Sequence, residues 1–130
     1  MKKILIIHDY AGIREPLAEK LAAEGYLVVP IGRPSLAKEL ILTLNPDLVL
    51  IKLDKGKQAF FDEVRKQSPS LPILALTTLD GPEKDLRSKL AGVYVIRNPG
   101  FDGLQQKVAD VLHRKTPNFK EQMKSSSMQI

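Results

Sequence analysis

Lys52 closes the apolar run Leu48-Val49-Leu50-Ile51. An ammonium group at the end of a buried strand demands an anion or a route back to water. Three other strand-like segments end in residues able to do chemistry: His8-Asp9, Thr77-Thr78 and Asn98-Pro99. If the four ends converge, they gather an imidazole, a carboxylate, an ammonium, hydroxyls and an amide. Such a set could hold an anion or pair Lys52 with Asp9. It could also titrate at His8, although a partly exposed strand-end histidine without a role is the preferred reading. No Ser-His-Asp arrangement can be assembled, because His8 and His113 lie at opposite ends of the chain. Lys55-Gly56-Lys57 makes the segment after Lys52 basic, but no GxGxxG or Walker pattern accompanies it. A solvated loop is preferred there.

The elements that must position these groups follow from periodicity. Residues 3–8, 26–31, 48–53, 73–77 and 93–97 are mostly continuous Ile, Val and Leu runs, the pattern of parallel strands covered on both faces. Between them lie helical stripes: Ile13, Leu17 and Leu21; Leu36, Leu40, Ile41 and Leu44; Phe60 or Phe61 with Val64; Leu86 and Leu90; and Leu104, Val108, Val111 and Leu112. Breakers fill the joints, among them Glu24-Gly25, Asn45-Pro46, Asp80-Gly81-Pro82 and Asn98-Pro99-Gly100. Pro16 is a local conflict: it is cheap only if the first helix begins near Ile13, and otherwise kinks it. Strict βα alternation implies an α/β, three-layer, doubly wound parallel sheet of five strands. In such sheets chemistry gathers at the carboxyl edge.

Bulk properties exclude several classes. With 130 residues, 43% hydrophobic and 27% charged, the chain suits one domain with a real core. We read residues 1–114 as that domain and 115–130 as a flexible tail. No apolar run nears the ~20 residues of a membrane span, and no signal peptide is evident, so a cytoplasmic protein is expected. Absence of cysteine removes disulfides and thiolate metal sites. The net charge is +5, of which residues after Arg114 carry +2 through Lys115, Lys120 and Lys124 against Glu121. That surplus, without a basic-aromatic cluster, argues against nucleic acid as the partner.

Four segments, in order and with matching spacing, give the chain its resemblance. They are Lys3-Ile4-Leu5-Ile6-Ile7-His8-Asp9, Pro46-Asp47-Leu48-Val49-Leu50-Ile51-Lys52-Leu53, Leu71-Pro72-Ile73-Leu74-Ala75-Leu76-Thr77-Thr78 and residues 93–99. Over roughly residues 2–114 the chain resembles a response-regulator receiver domain of two-component signalling. The resemblance implies the flavodoxin-like strand order 2-1-3-4-5. It also implies a pocket in which two acids bind Mg2+, an aspartate accepts a phosphoryl group, a hydroxyl ends the fourth strand and a lysine precedes a proline. The cations offset the charge of the incoming phosphoryl group. Position by position, Asp9 matches the second acid and His8 replaces the first. Lys52 replaces the acceptor, Thr77 matches the hydroxyl, and Asn98 replaces the lysine before the retained Pro99. Val95 stands where the family often has a switching aromatic residue, and Asn98–Pro99 becomes a candidate cis peptide.

The expectation is therefore a degenerate receiver of bacterial or archaeal type: not an enzyme, not phosphorylated on aspartate, and acting by protein–protein interaction. Lys52 is expected to pair with Asp9 and partly fill the place of the metal; the alternative is a solvated lysine. No cofactor is expected, and Mg2+ at Asp9 only if the pocket still works. Partners would be a histidine kinase or an output protein, with a homodimer through the fourth helix, fifth strand and fifth helix. Two other readings stand beside it: a phosphorylatable receiver using Asp54, and a doubly wound domain binding a small anion near Asn98 and Lys52.

Overall fold

The computed structural model describes residues 1–52, 58–77, 93–97 and 101–113. Five parallel strands, β1 (Lys3–Ile7), β2 (Leu27–Ile31), β3 (Leu48–Lys52), β4 (Ile73–Thr77) and β5 (Val93–Arg97), form one sheet in the order β2-β1-β3-β4-β5. Each matches its expected strand to within one residue per end. The helices are α1 (Ala11–Ala23), α2 (Ala37–Leu44), α3 (Gln58–Gln67) and α4 (Phe101–Leu112), with a 3₁₀ turn at Pro34–Leu36 before α2. The stripe at Leu86 and Leu90, the candidate cis bond at Asn98–Pro99 and the tail all lie outside the described residues.

Alternation along the strands builds two cores. Leu5, Ile7, Val49, Ile51, Ile73 and Ala75 face Ala37 and Ile41 of α2 and Phe61 and Val64 of α3. Ile4, Ile6, Leu48, Leu50 and Leu74 face Leu17, Ala18 and Leu21 of α1 and the Leu104, Val108, Val111 and Leu112 stripe of α4. Central β3 is flanked on both sides, and its residues 48–51 have no exposed surface. That is why the strand reads as an unbroken apolar run.

Two sequence expectations about the helices are corrected. The α1 helix starts at Ala11, so Pro16 sits within it and the Gly12 carbonyl loses its i→i+4 donor. Burial of Leu17, Ala18 and Leu21 against the sheet holds the helix through that defect. Ile13 and Leu36, read as core, are each 48% exposed; Ala37 fills the inward position at the start of α2 instead. Pro30 lies in edge strand β2 at no cost in pairing. Leu27 donates its N–H inward to the Lys2 carbonyl, so by period two the Pro30 nitrogen faces the open edge. The helix ends follow local chemistry: Asn45 closes α2 in the left-handed region (φ 51°) before Pro46, and Gly25 (φ 99°) carries the turn after α1.

Candidate functional site

Parity places the site. Lys52 continues the alternation of Leu48 and Leu50 and so projects on the α1 side of the sheet; His8 continues Ile4 and Ile6 on that same side. β1 and β3 are hydrogen-bonded neighbours, with Ile7 opposite Ile51. The carboxyl ends of the two central strands therefore deliver an imidazole and an ammonium to one place, with Asp9 opening the loop into α1.

Lys52 Nζ donates to Asp9 Oδ1 at 3.3 Å. The Lys52 side chain is 37% exposed and that of Asp9 62%, so the pair straddles the surface. His8 is buried, against the expectation of a partly exposed ring. Its Nδ1 accepts the Tyr10 backbone N–H at 3.1 Å, which in the neutral ring puts the proton on Nε2. The same Nδ1 lies 3.8 Å from Asp9 Oδ1, so one carboxylate oxygen sits between the imidazole and the ammonium.

The Lys52 hydrogen bond holds the Asp9 carboxyl below its ordinary value; partial desolvation opposes it, and the Asp9 backbone N–H and the charges at Lys52 and His8 give smaller help. A folded pKa below the unfolded one means a stabilising contribution present above the unfolded value and lost as pH falls through the folded one. Asp9→Asn should therefore be less stable than wild type at neutral pH, and the gap should close in acid, below the titration of Asp9. Denaturant titrations of both proteins between neutral and acid pH check this. A gap that persists in acid would mean that Asp9 acts by something other than its charge.

One participant escaped the sequence reading. Arg14, in the first turns of α1, reaches back and donates from Nη1 to the His8 carbonyl at 2.6 Å, and its Nη2 lies 3.6 Å from Glu15. A charged donor to a carbonyl is among the stronger hydrogen bonds. Gly32, just past β2, makes room for it: a Cβ there would come within 2.9 Å of Nη1. Arg14 thus ties the His8-Asp9 corner to α1 while Gly32 clears the approach from β2. The only local signal was a glycine after a strand and an arginine six residues past His8, which is too little to act on.

Of the other candidates, Thr77 is the last residue of β4, one position past the Lys52–Leu76 register pair, and so stands at the same edge. Asp54, Asn98 and Pro99 lie outside the described residues. The opposite edge holds an open cleft, but several of its polar side chains are already matched. Tyr26 and His113 share a hydrogen bond at 3.3 Å, Asp47 accepts the Lys3 N–H at 2.8 Å, and Glu24 accepts from Gln105. These contacts tie β1 to the segment before β3, and α4 and the residue after it to the turn between α1 and β2.

No family model matches the chain. In sequence it is similar to "Probable transcriptional regulator ycf27" of Guillardia theta, 30% identical over 122 residues that span 87% of this chain and 46% of that protein. It is also similar to "Two-component response regulator PhoP" of Pseudomonas aeruginosa, 27% identical over 119 residues, 88% of this chain and 53% of that one. The chain spans about half the length of these curated relatives. Among solved structures, response regulator protein TrrA of Thermotoga maritima, in complex with Mg2+ and beryllofluoride, superposes with a TM-score of 0.75 and 33% identity. That likeness covers 86% of this chain and 100% of that one.

Proposed function

The chain belongs to the response-regulator receiver family of two-component signalling, and we propose that within it this protein is a receiver-like module that signals by docking, without phosphorylation of an aspartate. The observation that carries this reading is Lys52, the last residue of β3 and hydrogen-bonded to Asp9. Carried over from the family's pattern, that position holds the phosphoacceptor carboxylate. A lysine ammonium has no lone pair with which to attack phosphorus. The replacement removes the nucleophile and also changes the charge that the pocket presents to a phosphodonor.

A receiver that cannot be rewritten by phosphorylation has its state set by what binds it, and a partner shifts that state only by binding one form better than the other. The partners we propose are a histidine kinase or an output protein in the cytoplasm. The docking face, carried over from the family, includes β5 and α4. The module has no catalytic role of its own in this reading.

Incubation with Mg2+ and acetyl phosphate should leave the intact mass unchanged. Titration with Mg2+ and beryllofluoride should leave the amide spectrum unchanged around Asp9, Lys52 and Thr77. A phosphoryl increment that maps to Asp54 would replace this reading with that of a receiver using a displaced acceptor.

A further inference from the structure

The receiver family brings a divalent cation to this edge, so the donors present here can be tested for their fit to one. Mg2+ takes near-octahedral oxygen ligands at ~2.0–2.1 Å and is normally held by one or two carboxylates plus substrate oxygens. Among the described residues no group of three or more His, Cys, Asp or Glu side chains gathers, and Asp9 is the carboxylate that the Lys52 contact places at this edge. Asp9 Oδ1 already faces the Lys52 ammonium at 3.3 Å, and the neighbouring His8 Nδ1 is engaged by the Tyr10 N–H. A metal bound to that oxygen would sit against a positive charge. Swinging Lys52 aside would still leave no cluster of three such side chains among the described residues. The residues do not fit the cation.

We propose that the Lys52 ammonium is the resident cation of this edge: a tethered counter-charge that neutralises Asp9 permanently and keeps divalent ions out. This rests on reading the edge as a receiver pocket, and it deepens that reading from the loss of an acceptor to the replacement of a metal. The geometry suits the role. Lys52 reaches Asp9 from the neighbouring strand and stays partly hydrated as an ammonium prefers. The pocket's charge balance then no longer depends on the supply of metal in solution. The Asp9 corner stays in one arrangement, held from behind by Arg14 on the His8 carbonyl.

The test is a Mn2+ and Mg2+ titration of the full chain without any phosphodonor, read as amide broadening and shifts at Asp9, Tyr10 and Lys52. Wild type should show no saturable site. Lys52→Asp, which swaps the ammonium for a second carboxylate beside Asp9, should bind Mn2+ at least roughly tenfold more tightly than wild type. If that variant does not fold, Lys52→Asn supplies a neutral oxygen donor and should show a gain of the same sign. Saturable binding to wild type as tight as to the variant would overturn the proposal, as would no gain in the folded variant. The docking reading fails separately: a phosphoryl adduct on wild type would remove it while leaving the cation result untouched.

Discussion

Replacing Phe61 with alanine should lower the unfolding free energy by about 3–5 kcal/mol, the usual cost of emptying a fully buried aromatic site. Phe61 has no exposed surface. It packs on the sheet face formed by Leu5, Ile7, Val49, Ile51, Ile73 and Ala75, together with Ala37 and Ile41 of α2. Those neighbours come from four separate elements, so no single one can move in to refill the space. Domains of this size are worth only about 5–15 kcal/mol in total. The midpoint of thermal unfolding should therefore drop by roughly 10–20 °C. Phe60 is the internal control. It meets Phe61 edge-on, with ring centroids 6.0 Å apart, but it is only partly buried at the rim of that core. Phe60→Ala should cost clearly less. Urea titrations with an unchanged denaturant slope are the measurement, and equal losses for the two variants would show that the α3 face has been assigned wrongly.

That pair also marks where sequence reading stops. Helical spacing allows either Phe60 or Phe61 to point inward with Val64, and only packing against Ala37 and Ile41 decides for Phe61. The strands were legible because continuous Ile, Val and Leu runs have one common explanation, and the α4 stripe because four apolar positions repeat at one period. The errors fall where propensity yields to tertiary context. Pro16 is carried inside α1 because burial of Leu17 and Leu21 outweighs one missing hydrogen bond. Leu36 is spent in a 3₁₀ turn, so the inward stripe begins at Ala37.

The site divides in the same way. That Lys52 and Asp9 share an edge follows from βα alternation and from resemblance to a known strand order. That His8 is buried with Nδ1 occupied, and that Arg14 folds back on its carbonyl, depends on backbone geometry at one corner. No residue pattern announces it. The Tyr26–His113 contact spans 87 positions and is invisible to any local window.

Exchanging Ile51 and Lys52 tests how much of this depends on a single step of strand parity. The double variant Ile51→Lys, Lys52→Ile has the same composition, length and net charge. It moves the ammonium one residue back along β3, and therefore to the other face of the sheet. There its neighbours would be Ile7, Ala37, Phe61 and Ala75, all with 1% or less of their surface exposed. None of them offers a hydrogen bond to a cation. An unpaired buried charge costs roughly 3–5 kcal/mol or more, a large share of the whole stability of such a domain at neutral pH. The sign of the pH dependence is set as well. Burial lowers the folded pKa of a lysine, so the penalty is complete below that value and shrinks as pH rises towards the unfolded one near ~10.4. The variant should therefore regain stability in alkali, under conditions in which wild type gains nothing comparable. Denaturant midpoints at neutral and alkaline pH give the answer. A variant as stable as wild type at neutral pH would mean that position 51 reaches solvent, and the parity that brings Lys52 to Asp9 would be lost with it.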